Sequence, residues 1–207
     1  MTPKKHHWAP FVVILAVAAL VATIGGTMAW LTDDSSGLVN TFEPATVSGQ
    51  IVEDFDDKTV KKNVAVKNTS DVTVYVRVAL VPTWVDTESK TPVAEACDLS
   101  DVKIKETADS TEVTGNQFEP AETSNWVKGD DGYFYYKLPV SSQTTTDALF
   151  AQATAGTAPV GCSMNLQVMM QIIQAEPTTA VTEAWKSGVN KVNDDGTLEI
   201  KVPADGN

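Results

Sequence analysis

Histidine is nearly missing from this chain, and its scarcity limits the chemistry that the chain can perform. The two histidines, His6 and His7, precede the first apolar run, so a secretory leader would carry both of them away. The exported chain would then have no imidazole, which excludes Ser-His-Asp catalysis, Cys-His catalysis and histidine-based zinc sites. The sequence also lacks an H-E-x-x-H motif. We therefore expect no enzyme activity, no metal site and no cofactor.

Cysteine is scarce as well. The two cysteines, Cys97 and Cys162, are far apart and do not have the spacing of a metal site. In an exported protein they could form one disulfide, which would add about 4 kcal/mol of stability for a loop of this length. The alternative, which we favour, is two separate buried thiols that act as small apolar residues.

Basic residues are few beside the acidic ones. Lys and Arg total 15 against 27 Asp and Glu, a net charge of -12, and loss of Lys4 and Lys5 with an acid-free leader would change -12 to -14. A surface of that charge repels nucleic acid and anionic lipid headgroups. We expect no nucleic-acid partner and no membrane contact beyond the leader.

The longest apolar run is short for a membrane span. It covers residues 11–24, follows Lys4 and Lys5, and gives way to small residues and then to a polar segment from Thr32 onward. About 14 apolar residues are too few to cross ~30 Å of hydrocarbon as a helix. This layout is typical of a secretory signal.

The end of this segment predicts where the leader is cut. Thr27 and Ala29 supply the small residues that a signal peptidase pocket requires. We expect a signal peptide over residues 1–29, with Trp30 as the new N-terminus. An uncleaved anchor is the alternative, because counting on to Leu31 lengthens the apolar segment to about 20 residues.

The rest of the chain predicts strands. Valines at period two approach a turn at residues 68–71 and continue along residues 72–80, which predicts a hairpin whose second strand ends at Pro82. A second hairpin is predicted around the turn at residues 129–132. Its aromatic run, residues 133–138, could form a carbohydrate platform, although rings packed in a core explain it more simply.

The remaining segments complete the class. Residues 164–174 alternate again, and their methionines fit a core better than a copper site. Residues 177–185 predict a short helix near the C-terminus. Residues 92–117 are mixed, with Val102, Ile104 and Val113 as weak strand positions, and predict an insertion or long connection. The tail 188–207 could hold an extra strand at 197–202. About seven to nine strands and one helix predict an all-β fold.

Several segments also resemble a known family. GGTMAWLTD at residues 25–33 and NTF at 40–42 are similar to the processing junction of proteins cut by the SipW-type signal peptidase of Gram-positive bacteria. KNTSDVTVYVR at 67–77, the block from NWV to LF at 125–150, and the end from QIIQAE to AW at 171–185 extend the likeness. The chain thus resembles the TasA and camelysin superfamily of biofilm matrix proteins, and its BsaA-like branch most closely.

The resemblance implies a fold and a function. The implied fold is a jelly-roll-like antiparallel β-sandwich over residues 30–187. The implied function is that of a secreted structural protein, trimmed by a SipW-type peptidase and assembled into extracellular fibres. Camelysin-like relatives are described as metallopeptidases, but this sequence has no ligands for such an activity.

The segment after the cut suggests how assembly begins. Residues 30–42 become a free N-terminus only when the leader is removed, and they could then add as a strand to an open sheet edge of a neighbour. Such a head-to-tail contact does not close, so it propagates a homo-oligomeric fibre. The candidate anchors of this donor strand are Leu31, Leu38, Val39 and Phe42. The alternative is an ordinary first strand of its own domain.

A monomeric cell-surface module that binds carbohydrate or Ca²⁺ is the alternative function. Its candidate ligands are the acidic turns Asp33-Asp34, Asp54-Asp56-Asp57 and Asp130-Asp131. These turns lack the ligand spacing of an EF-hand loop, and acidic turns are usually just solvated.

Overall fold

Alternating β-branched, aromatic and polar residues produce a fold built mainly of antiparallel strands. The computed structural model describes residues 47–56 and 60–203. In chain order the elements are β1 Gly49–Asp56, β2 Val60–Asn68, β3 Val74–Asp86, a 3-10 turn Leu99–Asp101, β4 Val102–Lys105, β5 Val113–Thr114, β6 Trp126–Lys128, β7 Phe134–Val140, β8 Phe150–Ala155, β9 Cys162–Gln174, α1 Thr178–Ala184, β10 Val189–Val192 and β11 Leu198–Ile200. The predicted all-β sandwich with one short helix near the C-terminus is confirmed. Among these residues no helix is long and apolar enough to cross a membrane.

Two sheets form the sandwich. One has the strand order β1-β2-β8-β4-β5 and the other β6-β7-β3-β9, while β10 and β11 form a separate hairpin. The inward side chains of both sheets share one core, in which Val66, Val76 and Phe150 are fully buried. This core lies between the sheets, as the alternation of the sequence requires.

The predicted hairpin around residues 68–71 is wrong. β2 pairs with β1 and β8, whereas β3 pairs with β7 and β9, so this turn carries the chain from one sheet to the other. Both strands still place valines inward, as Val66 and Val74 show. A hairpin and a sandwich corner give the same alternating pattern, because each joins two strands that have one face in the core.

Pro82 does not end β3. The strand continues to Asp86, and Pro82 lies opposite Leu166 of β9. β7 pairs with β3 only between Val74 and Val78, so Pro82 interrupts no ladder bond to β7. Proline is tolerated at such an edge because the missing N–H has no partner to lose.

Residues 92–117 are not an insertion. β4 pairs with β8 and β5 within the five-stranded sheet, and Val102 and Ile104 are 0% exposed in the core. The weak strand positions Val102, Ile104 and Val113 are confirmed, because they lie on β4 and β5. A strand of four residues contains too few repeats to show that it belongs to a sheet of the sandwich.

The helix and the tail cover part of the outer face of the four-stranded sheet. α1 lies within the predicted range 177–185, and β11 lies within the predicted range 197–202. Their apolar residues form a second cluster with outward rings of β3 and β7: Tyr75, Tyr135, Ala175, Val181, Trp185, Val189 and Leu198. The tail therefore packs against the sandwich.

Gly188, between α1 and β10, allows this close packing. A Cβ at this position would lie 2.1 Å from the Tyr135 hydroxyl oxygen. We expect Gly188→Ala to lower the free energy of unfolding by about 2–3 kcal/mol, because the buried ring cannot move aside. Urea unfolding measures the loss.

Gly132→Ala is the control for this substitution. Its Cβ would meet nothing within 4 Å, so only the backbone φ of +82° acts against it, and we expect a cost of about 1 kcal/mol. A smaller loss for Gly188→Ala than for Gly132→Ala would contradict the proposed steric cause.

Candidate functional site

One long side of the sandwich has two unpaired strand edges. β9 is paired with β3 along its whole length, and within the described ranges no strand pairs with its other edge. β1 likewise has β2 as its sole strand partner in this part of the chain. The two edges are close together, because a Cβ at Gly49 of β1 would lie 3.0 Å from the Met170 sulfur of β9.

The described residues cover the core between these two edges incompletely. On β9 the inward side chains alternate, and only Leu166 among them is buried. Apolar residues of the two edge strands, and one residue that precedes β1, pack on the core yet stay half-buried: Val47, Ile51, Met164, Val168, Met170 and Ile172. We call these six residues the open seam. The inward valines of β3, by contrast, are at most 1% exposed at Val74, Val76 and Val78.

The β9 edge has none of the features that usually protect an exposed strand. Edge strands avoid unwanted pairing through lysines, prolines, bulges or short length. β9 has 13 residues, CSMNLQVMMQIIQ, with no charge and no proline, and its register with β3 has no bulge. β1 differs, because it carries Glu53 and Asp54 and has a bulge between Val52 and Asp54. The β9 edge is therefore the one open to a further strand.

The β9 backbone offers hydrogen-bonding groups on this side. On β3, the Trp84 carbonyl and the Asp86 N–H bond with residues 91–93, away from β9. Even-numbered β3 residues thus direct their backbone groups away from β9. In an antiparallel pair, the β9 residues opposite them, such as Val168 opposite Leu80, direct their own N–H and C=O groups to the unpaired edge. These are the same residues whose side chains line the open seam, so one added strand would bond the edge and cover the core.

A polar cluster centred on the buried Arg77 lies on the outer face of the same sheet. Arg77, 8% exposed, donates from Nε and Nη2 to Gln171 Oε1 at 2.9 and 2.7 Å. Its Nη1 donates to the Tyr135 hydroxyl at 2.8 Å and contacts Asp131 Oδ2 at 3.4 Å. The guanidinium also lies 3.9 Å from the centre of the Tyr133 ring. We call these five residues the arginine cluster.

The arginine cluster is built to hold the fold together. Asp131 Oδ2 accepts from the hydroxyls of Tyr135 and Ser187 at 2.7 and 3.0 Å. Burial, and then the hydrogen bond to Asp131, raise the pKa of Tyr135 well above its ordinary value. A tyrosine in this state stays protonated and remains a donor. The cluster thus fastens the loop after α1 to the sheet, and its polar groups are occupied by one another.

The predicted N-terminal sites lie outside the described residues. They are the cleavage residues Thr27, Ala29 and Trp30, and the donor-strand candidates Leu31, Leu38, Val39 and Phe42. Val47, the first described residue, packs at the open seam. The sequence analysis did not identify the open seam. The uncharged run over residues 162–174 is the sequence feature that could have indicated it.

Cys97 and Cys162 are both free thiols, and both are half-buried, so the expectation of fully buried thiols is wrong. Cys162 lies opposite Asp86 on the β9 side of β3, while the Cys97 thiol bonds with the Trp84 backbone, which faces the other side. Burial, and then Asp101 and Asp98, raise the pKa of Cys97, so its thiolate is disfavoured.

The acidic turns show no cation cage where the structure describes them. Asp54 accepts a hydrogen bond from Asn63 at 3.1 Å, and Asp131 belongs to the arginine cluster. No group of three or more candidate metal ligands occurs among the described residues. The rings of Phe134, Tyr135 and Tyr136 are buried, which favours core packing over a carbohydrate platform.

No family model, no curated protein and no solved structure matches this chain. The resemblance to the TasA and camelysin superfamily stays a prediction from its motifs.

Proposed function

We propose that this chain is the subunit of an extracellular biofilm matrix fibre, secreted and then joined head to tail by strand addition. The observation that carries the proposal is the long, unprotected edge of β9 beside the half-buried open seam. A strand added there would gain main-chain hydrogen bonds and cover apolar side chains at the same time. In this proposal the fibre partner is another copy of the chain.

Residues 30–42 of the neighbouring copy are the proposed donor. They number 13, as many as β9, and 13 extended residues span about 43 Å. Alternation along an added strand places Leu38 and Phe42 on one face and Leu31 and Val39 on the other, so one of these two pairs of the candidate anchors would face the open seam. Because β9 carries no charge, the acidic pair in the donor meets no like charge on that strand.

Leader removal would control the timing of assembly. Trimming by a SipW-type peptidase at Thr27 to Trp30 frees the donor outside the cell. Each added copy contributes a new donor or acceptor, so growth continues without closing. The acidic composition, and the lack of any histidine after His7, agree with a structural role for the trimmed chain.

Electron microscopy of two chains, one beginning at Trp30 and one at Ala45, tests the proposed donor. We expect filaments from the first and monomers from the second, because only the first has the donor. A tag fused to Trp30 should also prevent filaments. Equal assembly from the Ala45 chain would overturn the proposal, and monomers from both chains would favour a monomeric binding module.

Val168→Pro tests the acceptor edge. Proline removes the N–H that Val168 directs to the unpaired edge and leaves the bonds to β3 in place, so the variant should fold but not elongate. At substoichiometric amounts, the Val168→Pro chain should cap wild-type filaments at one end, and the Ala45 chain should cap them at the other. Circular dichroism verifies folding.

Mixing the two defective chains gives the decisive comparison. The Val168→Pro chain keeps its donor and the Ala45 chain keeps its acceptor, so their equimolar mixture should form heterodimers that stop there. Sedimentation velocity detects that species. Filaments from the mixture, or no complex at all, would contradict strand addition to β9.

A further inference from the structure

Methionine is concentrated on β9. Three of the five methionines of the chain, Met164, Met169 and Met170, lie on this strand, and removal of the proposed leader would carry away the other two. Met164 and Met170 belong to the open seam, where both are half-buried. Met169 is on the opposite side of the strand and is 51% exposed. The acceptor strand of the proposed fibre therefore holds every thioether sulfur of the trimmed chain.

The two seam methionines lie where an added strand would pack. Both are opposite even-numbered β3 residues, so their backbone groups are directed to the unpaired edge. A strand that bonds with them there places its own side chains beside theirs. Met170 also contacts β1, since a Cβ at Gly49 would lie 3.0 Å from its sulfur and 3.1 Å from its methyl carbon. With the core beneath it and Gly49 beside it, an atom added to this sulfur has room only toward the open side of the seam.

We propose that Met164 and Met170 are an oxidation site at which hydrogen peroxide blocks strand addition to β9. The inference rests on the proposed fibre. In the reaction a lone pair of the sulfur attacks one peroxide oxygen, and an S–O bond forms as the O–O bond breaks. The released hydroxide takes the proton of the transferred oxygen and leaves as water. The sulfur is oxidised, the peroxide is reduced, and the product is methionine sulfoxide.

The sulfoxide changes the polarity of the seam. Its oxygen is a hydrogen-bond acceptor, and at the half-buried seam of a single subunit water satisfies it. An added strand would exclude that water, while its own N–H groups bond the β9 backbone instead. Burial of one such unpaired polar group weakens binding by about tenfold. The critical concentration for filament growth should therefore rise about a hundredfold when both seam methionines are oxidised.

The test oxidises the chain that begins at Trp30 while an N-terminal tag prevents its assembly. Catalase then removes the hydrogen peroxide, a protease removes the tag, and light scattering measures the critical concentration for filament growth. We expect the oxidised wild type to show the hundredfold rise, about the product of two tenfold effects. Methionine sulfoxide reductases should reverse it.

Two leucine variants show which sulfurs are responsible. Met164→Leu/Met170→Leu removes the seam sulfurs at nearly constant volume, so its critical concentration should be the same before and after peroxide. Met169→Leu is the matched control, because it keeps both seam methionines and should respond like the wild type. Both variants keep Cys97 and Cys162, so oxidation of the thiols would affect them alike. An equal response of the two variants would overturn the inference, as would an unchanged wild type in which mass spectrometry finds both seam residues oxidised.

Oxidation rates in assembled wild-type filaments provide a second measurement. The donor strand would cover Met164 and Met170, so peroxide should oxidise them roughly tenfold more slowly in filaments than in the tagged subunit, because susceptibility follows exposure. Met169 should react at similar rates in both. Equal rates at the seam residues would overturn the inference alone. Absence of filaments before any peroxide treatment would be a failure of the proposed fibre, and the inference would fall with it.

Discussion

Asn68→Ala should lower the free energy of unfolding by about 3–5 kcal/mol, because the amide of Asn68 holds the corner at which the chain changes sheets. Asn68 is 0% exposed. Its Nδ2 donates to the carbonyl oxygens of Val72, Val140 and Ser141 at 2.8, 2.9 and 3.1 Å. Its Oδ1 accepts from the backbone N–H and the hydroxyl of Ser70. Alanine removes all five of these hydrogen bonds, although the Val72 and Ser141 carbonyl oxygens keep the hydroxyls of Ser70 and Thr144 as donors.

Urea unfolding measures this loss. Asn63→Ala is the control, because Asn63 also lies on β2 but is exposed and bonded to Asp54 at the surface. Asn63 has a φ of 53°, so we expect a cost of about 1 kcal/mol from backbone strain alone. Similar losses for the two variants would show that the Asn68 contacts are not decisive.

Asn68→Asp separates shape from hydrogen bonding. The carboxylate has nearly the same shape, but it places negative charge against three carbonyl oxygens. Burial and these carbonyl groups should raise its pKa above the unfolded value of about 3.9. The variant should therefore be closest to the wild type below pH 4 and lose stability relative to it as pH rises through the raised pKa. A stability difference that does not vary with pH would contradict these contacts.

The sequence predicts the local elements well. Alternation located the inward faces of β3 and β9, the turn at residues 129–132 located the β6–β7 hairpin, and the proline and glycine signals located α1. In each case a few neighbouring residues determine the structure. Asn68 belongs partly to this group, because an Asn in a turn was predicted and it does bond Ser70, two residues on.

The pairing of strands could not be predicted in the same way. The partners of β2, β3 and β4 are distant in sequence, and nothing in their own residues tells which sheet they join. The open seam depends on this pairing. An uncharged strand such as 162–174 is ordinary in the middle of a sheet and unusual only at an edge.

The arginine cluster was also beyond prediction from the chain order. Alternation places Arg77 on the outer side of β3, where exposure to solvent is the usual expectation. Its partners come from the β6–β7 turn and from β9, and the Trp185 ring, 5.0 Å from the guanidinium carbon, comes from the end of α1. Arg77 is the sole arginine of the chain, and this is the one sequence feature that distinguishes it from other outward residues.

Arg77→Leu should lower the free energy of unfolding by about 3–5 kcal/mol, as expected when one partner of a buried ion pair is removed. Gln171 would lose both of its guanidinium donors. Asp131 would lose its cation and keep the hydroxyls of Tyr135 and Ser187 and the Tyr133 backbone N–H as donors. The Tyr133 ring would also lose its cation contact, worth about 0.5–2 kcal/mol. Thermal and urea unfolding measure the total.

Arg77→Lys distinguishes geometry from charge. An ammonium keeps the positive charge, but it cannot bond Gln171 and Tyr135 at once or stack on Tyr133 as a planar guanidinium does. We expect the lysine variant to recover less than half of the loss caused by leucine. Hydrogen exchange should show the weakening first in α1 and β10, which the cluster fastens to the sheet. Full recovery by lysine would mean that charge alone stabilises this face.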